Sequence, residues 1–197
     1  MSSTTLNRGS SWVCFDSGAT SDSRGHLEAT IINHAKRLNC NLELLVTYQL
    51  TSGLRRVAFV IASQDEKPLK QLERDLSNHF PSFSGENERE ALIAACQSKQ
   101  SGRAVVLSSP IDISGTVSAS ALVTSRVLDI VIAIGEELPS DAQLNVNGYL
   151  RPTLAQGQLQ LFVERVNGGL FAPIERQSPH ECCGGHDEEA PITLRSP

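Results

Sequence analysis

The sequence is poor in aromatic residues, which make up only 5% of its 197 positions and include a single Trp. Leu, Ile, Val and Ala must therefore fill most of any interior that the chain forms. Long apolar runs are also missing: the strongest, Val127 to Gly135, is far shorter than the roughly 20 residues of a membrane-spanning helix. The first ten residues, MSSTTLNRGS, lack the apolar stretch of a secretory signal. These absences predict a protein without a membrane segment.

Positive charge is scarce as well. The chain has 17 Lys and Arg against 22 Asp and Glu, for a formal net charge of −5, and its nearest approach to a basic cluster is the pair Arg55 and Arg56. A nucleic-acid-binding protein normally presents a basic face, so we expect no nucleic-acid partner. The cysteines number five, and two of them are adjacent, an arrangement that rarely forms structural disulfides. This cysteine usage predicts a reducing, cytoplasmic location.

Familiar enzyme motifs are absent from the sequence. It contains no G-x-S-x-G elbow, no Walker loop, no G-x-G-x-x-G turn and no H-E-x-x-H zinc motif. Cys14, Cys40 and Cys96 each stand beside apolar residues, which predicts buried small hydrophobic side chains rather than nucleophiles. The sequence therefore leaves open whether the protein is an enzyme.

The first hundred residues alternate strand-like and helix-like patterns. Residues 12–15 form a short apolar strand, and residues 25–39 place Leu27, Ile31 and Ala35 on one helical face. The order of the first five elements matches the opening of a split β-α-β arrangement of the ferredoxin type. We therefore predict an α+β or α/β fold with a ferredoxin-like β-α-β-β-α first half. The later strands of this half are expected at 41–50 and 55–63, and its later helices at 65–80 and 86–100.

The second half is rich in strand-like segments separated by Gly, Pro, Ser and Asp. Residues 116–127 are ambiguous, because their alanines favour a helix and their β-branched residues favour a strand. The other segments, at 103–110, 128–135, 142–150 and 157–166, are predicted strands. We divide the chain into a flexible tail at 1–10, an α/β segment at 11–100, a strand-rich segment of the same compact unit at 101–174, and a flexible tail rich in Cys, His and acids at 175–197.

The segment DSGAT, which begins at Asp16, directly follows the apolar strand at 12–15. From Phe15 to Thr20 the sequence resembles the D-[ST]-G-[AS] active-site signature of the pepsin and retropepsin families. In such sites two Asp carboxylates share one proton and activate a water molecule. A chain with one copy of the motif resembles the retropepsins, which act as homodimers. The resemblance therefore implies that Asp16 is the catalytic carboxylate of a dimeric aspartic protease.

The same letters resemble the D-x-G-x-T phosphate turn of the sugar-kinase and actin superfamily, which implies nucleotide binding. The strand–turn–helix order offers a third interpretation. In it, an anion such as phosphate is held by the backbone N–H groups after Asp16 and by the start of the next helix. Asp16 itself then holds a metal ion or a ribose. The simplest alternative is that Asp16 and Asp22 only cap a turn and a helix, each contributing about 1 kcal/mol. The anion- or ligand-binding residues of this hypothesis are Ser17, Gly18, Thr20, Asp22 and Ser23.

Near the other end, residues 180–189 (HECCGGHDEE) contain two thiols, two imidazoles and four acids. Thiolate and imidazole are ligands of Zn, Ni and Cu, and the two glycines allow the second imidazole to fold back toward the thiols. The segment resembles the flexible Cys/His tails of nickel- and zinc-handling chaperones; the alternative is an acidic tail with incidental cysteines. The predicted metal ligands are His180, Cys182, Cys183 and His186. If the tail docks on the body of the protein, the site can be completed by His26, His34 or His79.

These observations support two hypotheses. The first is a non-catalytic binding or accessory protein of a cytoplasmic complex, which acts with a protein partner or as a homo-oligomer and carries a metal-responsive C-terminal tail. The second is an enzyme or a nucleotide- or phosphate-binding protein that uses the strand–turn–helix at Asp16, with the aspartic-protease interpretation as one version. The second hypothesis requires that Asp16 line a pocket rather than a bare surface.

Overall fold

The computed structural model describes residues 10–17, 24–50, 56–80, 83 and 85–175. Within them the chain forms four α-helices and ten β-strands, and the strands make one mixed but mostly antiparallel sheet. The predicted α+β class with a strand-rich second half is therefore confirmed. The helices are α1 (Arg24–Arg37), α2 (Glu66–Ser77), α3 (Glu86–Gln97) and α4 (Ala119–Thr124); the strands are β1 (Ser11–Asp16), β2 (Leu42–Leu50), β3 (Arg56–Ser63), β4 (Arg103–Val106), β5 (Ser114–Ser118), β6 (Ile130–Ala133), β7 (Gln143–Asn147), β8 (Thr153–Ala155), β9 (Gln158–Arg165) and β10 (Phe171–Pro173).

Strands β1 to β4 form one end of the sheet in the order β1-β3-β2-β4. Side chains alternate between the two faces, so Val13 and Phe15 pack with α1 and α2 on one face, whereas Cys14 packs with α3 on the other. β1 and β2 both run antiparallel to β3, which lies between them. The ferredoxin-like detail is nevertheless not confirmed, because β4 extends the sheet beyond β2 and α3 covers the second face.

The second half continues the same sheet. β4 pairs with β8 at Arg103 and Thr153, and β9 then pairs with β8 and β10 on one edge and with β6 on the other. The ambiguous segment 116–127 contains both structures, since β5 ends at Ser118 and the hydroxyl of Ser118 accepts a hydrogen bond from Ala121 N at the start of α4. The short strands β8 and β10 have no counterpart among the predicted strands.

Two buried ion pairs connect the first half to the second. Arg151 Nη2 lies 2.8 Å from Glu28 Oε2 on α1, and the hydroxyl of Thr47 on β2 donates to Glu28 Oε1 at 3.2 Å. Lys99, which follows α3, donates to Asp129 Oδ2 at 2.6 Å, and the same oxygen accepts a backbone N–H of β9. Glu28 and Lys99 are only 2% and 3% exposed, so protein partners rather than water compensate their charges.

No helix in the part of the chain that the structure describes is both long and apolar enough to cross a membrane. The predicted N-terminal tail, apart from Ser10, and the predicted C-terminal tail, apart from Glu175, lie outside the described residues. The same holds for residues 18–23 between β1 and α1, which contain most of the predicted ligand-binding turn.

Candidate functional site

Strand β1 carries Asp16 at its C-terminal end, where the residue is only 1% exposed. β1 lies at one end of the strand order and pairs with β3, with Asp16 opposite Ala58. The next residue, Ser17, donates both its backbone N–H and its hydroxyl to Val57 O, at 2.9 and 2.6 Å. These two bonds prolong the pairing by one residue and hold the end of β1 in place at Asp16.

Asp16 lines a small cavity between β1, α2 and α3. The cavity has a volume of about 190 Å³, and its wall includes Glu73 of α2 together with Glu86 and Arg89 of α3. Arg89 Nη2 donates to Glu73 Oε1 at 2.5 Å, and Arg89 Nη1 lies 3.6 Å from Glu86 Oε1. Arg89 therefore links the two helices across the cavity wall, and each helix contributes a carboxyl group beside that of Asp16.

The charge around this cavity is mostly negative, since three carboxyl groups and one guanidinium line it. Opposite charges attract, so a cation or an amine complements this wall better than phosphate does. Arg89 also has a buried Nε–H with no acceptor among the described residues, which is available to an acceptor atom. The cavity therefore suits a small cationic ligand.

Burial keeps the thiols next to this cavity in their neutral form. Removal from water raises the pKa of Cys14 to about 12 and the pKa of Cys96 to about 12, because the thiolate loses its hydration. The charge of Arg89 favours the thiolate of Cys14 but does not outweigh the burial. Cys40 is buried as well. The prediction that these three cysteines are buried, small hydrophobic side chains is confirmed.

Of the predicted ligand-binding turn, only Asp16 and Ser17 are described. Glu73 and Arg89 were not predicted, because they lie on separate helices and belong to no sequence motif. Within the described ranges, no group of three or more His, Cys, Asp or Glu side chains is arranged to hold a metal ion. The other predicted residues of the turn and of the metal site lie outside the described part of the chain: Gly18, Thr20, Asp22, Ser23, His180, Cys182, Cys183 and His186.

A second feature is an exposed apolar surface on the second half of the sheet. In β9, Val163 points to the core, so Phe162 points outward, and its partner Ile132 on β6 does the same. Ile134 follows on the same side of β6 and is 56% exposed, and Ile174, after β10, is 45% exposed. Ile134 N and Ile174 N bond to Val163 O and Phe162 O, on opposite edges of β9. We define the outer apolar face as Ile132, Ile134, Phe162 and Ile174.

Strand β6 contributes Ile132 to the outer apolar face and pairs with β9 alone among the described strands. Its sequence, IVIA, contains no charged residue and no Pro. Edge strands of stable monomers are normally protected by such residues, by bulges or by a covering element. The second edge of β6 is therefore a suitable position for a strand of another chain.

No protein-family model matches the chain, and no curated protein and no solved structure is significantly similar to it. The function must therefore be argued from the geometry of the described residues. Two features carry that argument, the cavity at Asp16 and the outer apolar face with the adjacent edge of β6.

Proposed function

We propose that the protein is a non-catalytic binding or accessory protein of a cytoplasmic complex, and that it assembles through the outer apolar face. The observation that carries this proposal is the exposure of Ile134 and Ile174 beside Ile132 and Phe162. Single exposed apolar residues are ordinary on a monomer, but a contiguous group of large ones marks an interaction surface. Burying this group against a partner removes it from water and stabilises the complex.

A second copy of the same chain is the partner that best complements this surface. The β6 edge offers an identical, uncharged strand in each copy, and an unprotected edge pairs readily with another strand. Antiparallel pairing of two β6 strands about a two-fold axis is self-complementary. Such pairing extends the sheet across both copies and brings the two outer apolar faces together on one side of it.

The oligomeric state of the full-length protein, measured by analytical ultracentrifugation over a range of concentrations, tests this proposal. We expect a dimer for the wild type and a monomer for Ile134→Glu, because the new carboxylate would be buried without a partner in the interface. Val123→Glu is the matched control, since Val123 is 38% exposed but belongs to α4 rather than to the outer apolar face. A monomeric wild type, or a dimer that Ile134→Glu leaves intact, overturns the proposal.

The cavity at Asp16 supports a second candidate function, the binding or turnover of a small molecule. Its specific support is that Asp16 is buried while it lines a cavity together with Arg89, as the enzyme or nucleotide-binding hypothesis requires. Burial of Asp16 within one chain does not favour the dimeric aspartic-protease version, because two such carboxylates would have to approach each other. The mostly negative wall likewise favours an amine over phosphate.

Inorganic phosphate and a simple diamine, putrescine, distinguish the versions of this second candidate in a thermal-shift experiment. We expect putrescine to raise the Tm of the wild type but not that of Asp16→Asn, since a ligand that binds only the folded state stabilises it. Glu66→Gln is the control, because it removes an exposed carboxyl group of α2 and should leave the shift unchanged. A shift with phosphate alone would restore the phosphate-binding version, and no shift with either compound would contradict this candidate.

A further inference from the structure

A cleft lies beside α1, where the helical layer on one face of the sheet ends. On this face α2 contacts β1 and α1 contacts β2, whereas α3 and α4 pack on the other face. Because β4 follows β2 in the strand order, α1 is the last helix of its layer on the side of β4. Between α1 and the loops beyond β4 lies a cavity of about 400 Å³. We define this cavity as the α1 cleft, with a wall that includes Ile32, Ala35, Lys36, Leu42, Leu107 and Ser108.

The turn that ends α1 builds one wall of the α1 cleft. Asn39 has a φ of +51°, the left-handed conformation that commonly follows the end of a helix. Its backbone N–H donates to Lys36 O at 3.1 Å, and the N–H of Cys40 donates to Ala35 O at 2.9 Å. These are the two hydrogen bonds of a Schellman motif, in which the chain folds back onto the last turn of the helix. Cys40 and Ala35 therefore line the cleft together, and Leu42 extends the same wall at the start of β2.

The opposite wall comes from two segments of the second half, the residues after β4 and the turn between β7 and β8: Leu107, Ser108, Gly148 and Tyr149. Backbone hydrogen bonds hold both segments. Leu107 N donates to Glu43 O on β2 at 3.0 Å. Gly148 N donates to Ile113 O, just before β5, also at 3.0 Å. The two walls thus belong to one hydrogen-bonded framework, and the volume between them falls within the range of about 300 to 1,000 Å³ that is usual for small-molecule sites.

The wall of the α1 cleft is mostly apolar and carries one charge. Its apolar side chains include those of Ile32, Ala35, Cys40, Leu42 and Leu107. Among the described residues that line it, only Lys36 is charged. Asp65 is bonded to this wall without lining it, and its Oδ2 accepts two hydrogen bonds from Asn41, each at 3.0 Å, which partly compensate its charge. An apolar wall with a few polar groups is the usual composition of a ligand site, and here the charge at the wall is positive.

We infer that the α1 cleft binds a small apolar molecule that carries a single carboxylate. The apolar part packs against Ile32, Leu42 and Leu107 and is removed from water. The carboxylate meets the ammonium group of Lys36, which is exposed and lies at the open side of the cleft. The cavity at Asp16 has the opposite preference, because three carboxyl groups line it. The α1 cleft shares no wall residue with that cavity or with the outer apolar face, and this ligand goes beyond the proposed docking function.

Isothermal titration calorimetry of the full-length protein with octanoate and with octanol tests this inference, because the two molecules share a chain length and differ in the charge of the head group. We expect one equivalent of octanoate to bind, more tightly than octanol. Lys36→Gln should weaken octanoate binding about two- to fivefold, the contribution of an exposed charge pair, and leave octanol binding unchanged. Arg37→Gln is the matched control, since it removes the same charge from the next position of α1, outside the wall of the cleft.

The variant Ser108→Trp tests the apolar part of the site. Ser108 is exposed, so the fold should tolerate the change, and the indole ring should fill the cleft and weaken the binding of both molecules more than about tenfold. Absence of octanoate binding to the wild type overturns the inference, and so does octanoate binding that equals octanol binding and is unaffected by Lys36→Gln.

The variant Ile134→Glu separates this site from the outer apolar face and should bind octanoate as the wild type does. Octanoate binding that survives Ser108→Trp and is lost in Ile134→Glu takes place on the outer apolar face and also overturns the inference. Sedimentation of the same samples tests the docking proposal independently, so the failure of one is distinguishable from the failure of the other.

Discussion

The thiols of Cys14 and Cys96 show what burial does to single residues in this protein. Both lie in the core between the sheet and α3, and loss of hydration raises the pKa of each from 9.0 to about 12. Burial also raises the pKa of the neighbouring Tyr48. A thiolate is the reactive form of cysteine, so these two side chains act as apolar packing groups at neutral pH.

The stability of the protein should fall as the pH rises above 9. In the unfolded chain the thiols of Cys14 and Cys96 ionise near pH 9.0, whereas in the folded chain they ionise near pH 12. Below pH 9 the thiols are protonated in both the folded and the unfolded state. Between pH 9 and 12 the unfolded state binds fewer protons than the folded state. The free energy of unfolding therefore falls in this range by up to about 1.4 kcal/mol per pH unit for each thiol. Urea unfolding at pH 8 and pH 10 measures this decline. It should be shallower in Cys96→Ala, and an equal decline in both proteins would contradict the prediction.

At the scale of elements, length decides how much of this fold could be predicted. The elements α1, α2, β2 and β3 contain 14, 12, 9 and 8 residues, which is enough for the periodicity of a helix or a strand to become visible. Strands β8 and β10 contain three residues each. Three residues show no reliable alternation, and these strands depend on partners that are already in the sheet. Their formation is therefore a tertiary effect that local patterns do not reveal.

The turn between α3 and β4 requires Gly102. Its φ is +122°, and an added Cβ would lie 2.5 Å from Val46 Cγ1 and 3.1 Å from Tyr48 Cζ on β2. Gly157 also has a positive φ, +76°, but a Cβ there would meet nothing within 4 Å. We expect Gly102→Ala to lower the free energy of unfolding by about 1 to 3 kcal/mol more than Gly157→Ala, because only the first overpacks the core. Urea unfolding of the two variants measures the difference, and equal losses would show that the close approach to β2 is relaxed at no cost.

At the scale of the whole molecule, the candidate sites depend on packing that joins distant segments. Asp16 could be predicted as a candidate because a carboxylate at the end of an apolar strand, before a Gly-containing turn, is a local signal. The cavity around Asp16 could not be predicted, because Glu73 and Arg89 meet only when α2 and α3 pack on β1. The outer apolar face likewise arises from the register of β6, β9 and β10.

Removal of one partner from the ion pair between Glu28 and Arg151 should destabilise the protein strongly, because the other charge is left buried and uncompensated. Arg151→Met removes the guanidinium beside a carboxyl group that is 2% exposed, and breaking a buried pair from one side costs about 3 to 5 kcal/mol. Arg103→Met is the matched control, since Arg103 pairs with Glu175 at the surface, where its side chain is 59% exposed, and such pairs contribute little. Urea unfolding at pH 7 measures both losses. Adding Glu28→Gln to Arg151→Met should recover part of the stability. If Arg151→Met alone loses no more stability than Arg103→Met, the prediction is refuted.

The position of β4 has a consequence for the synthesis of the chain. In the finished sheet β4 lies between β2 and β8, and Ala104 N and Val106 N bond to Pro152 O and Leu150 O. A ribosome adds about 5 to 20 residues per second, so the roughly 50 residues between the two segments take about 3 to 10 s to appear. A nascent chain whose first half has folded presents the second edge of β4 uncovered for that time. At this uncovered edge the nascent chain is open to pairing with a wrong strand, and that exposure ends when the segment at 150–153 has left the ribosome and pairs with β4.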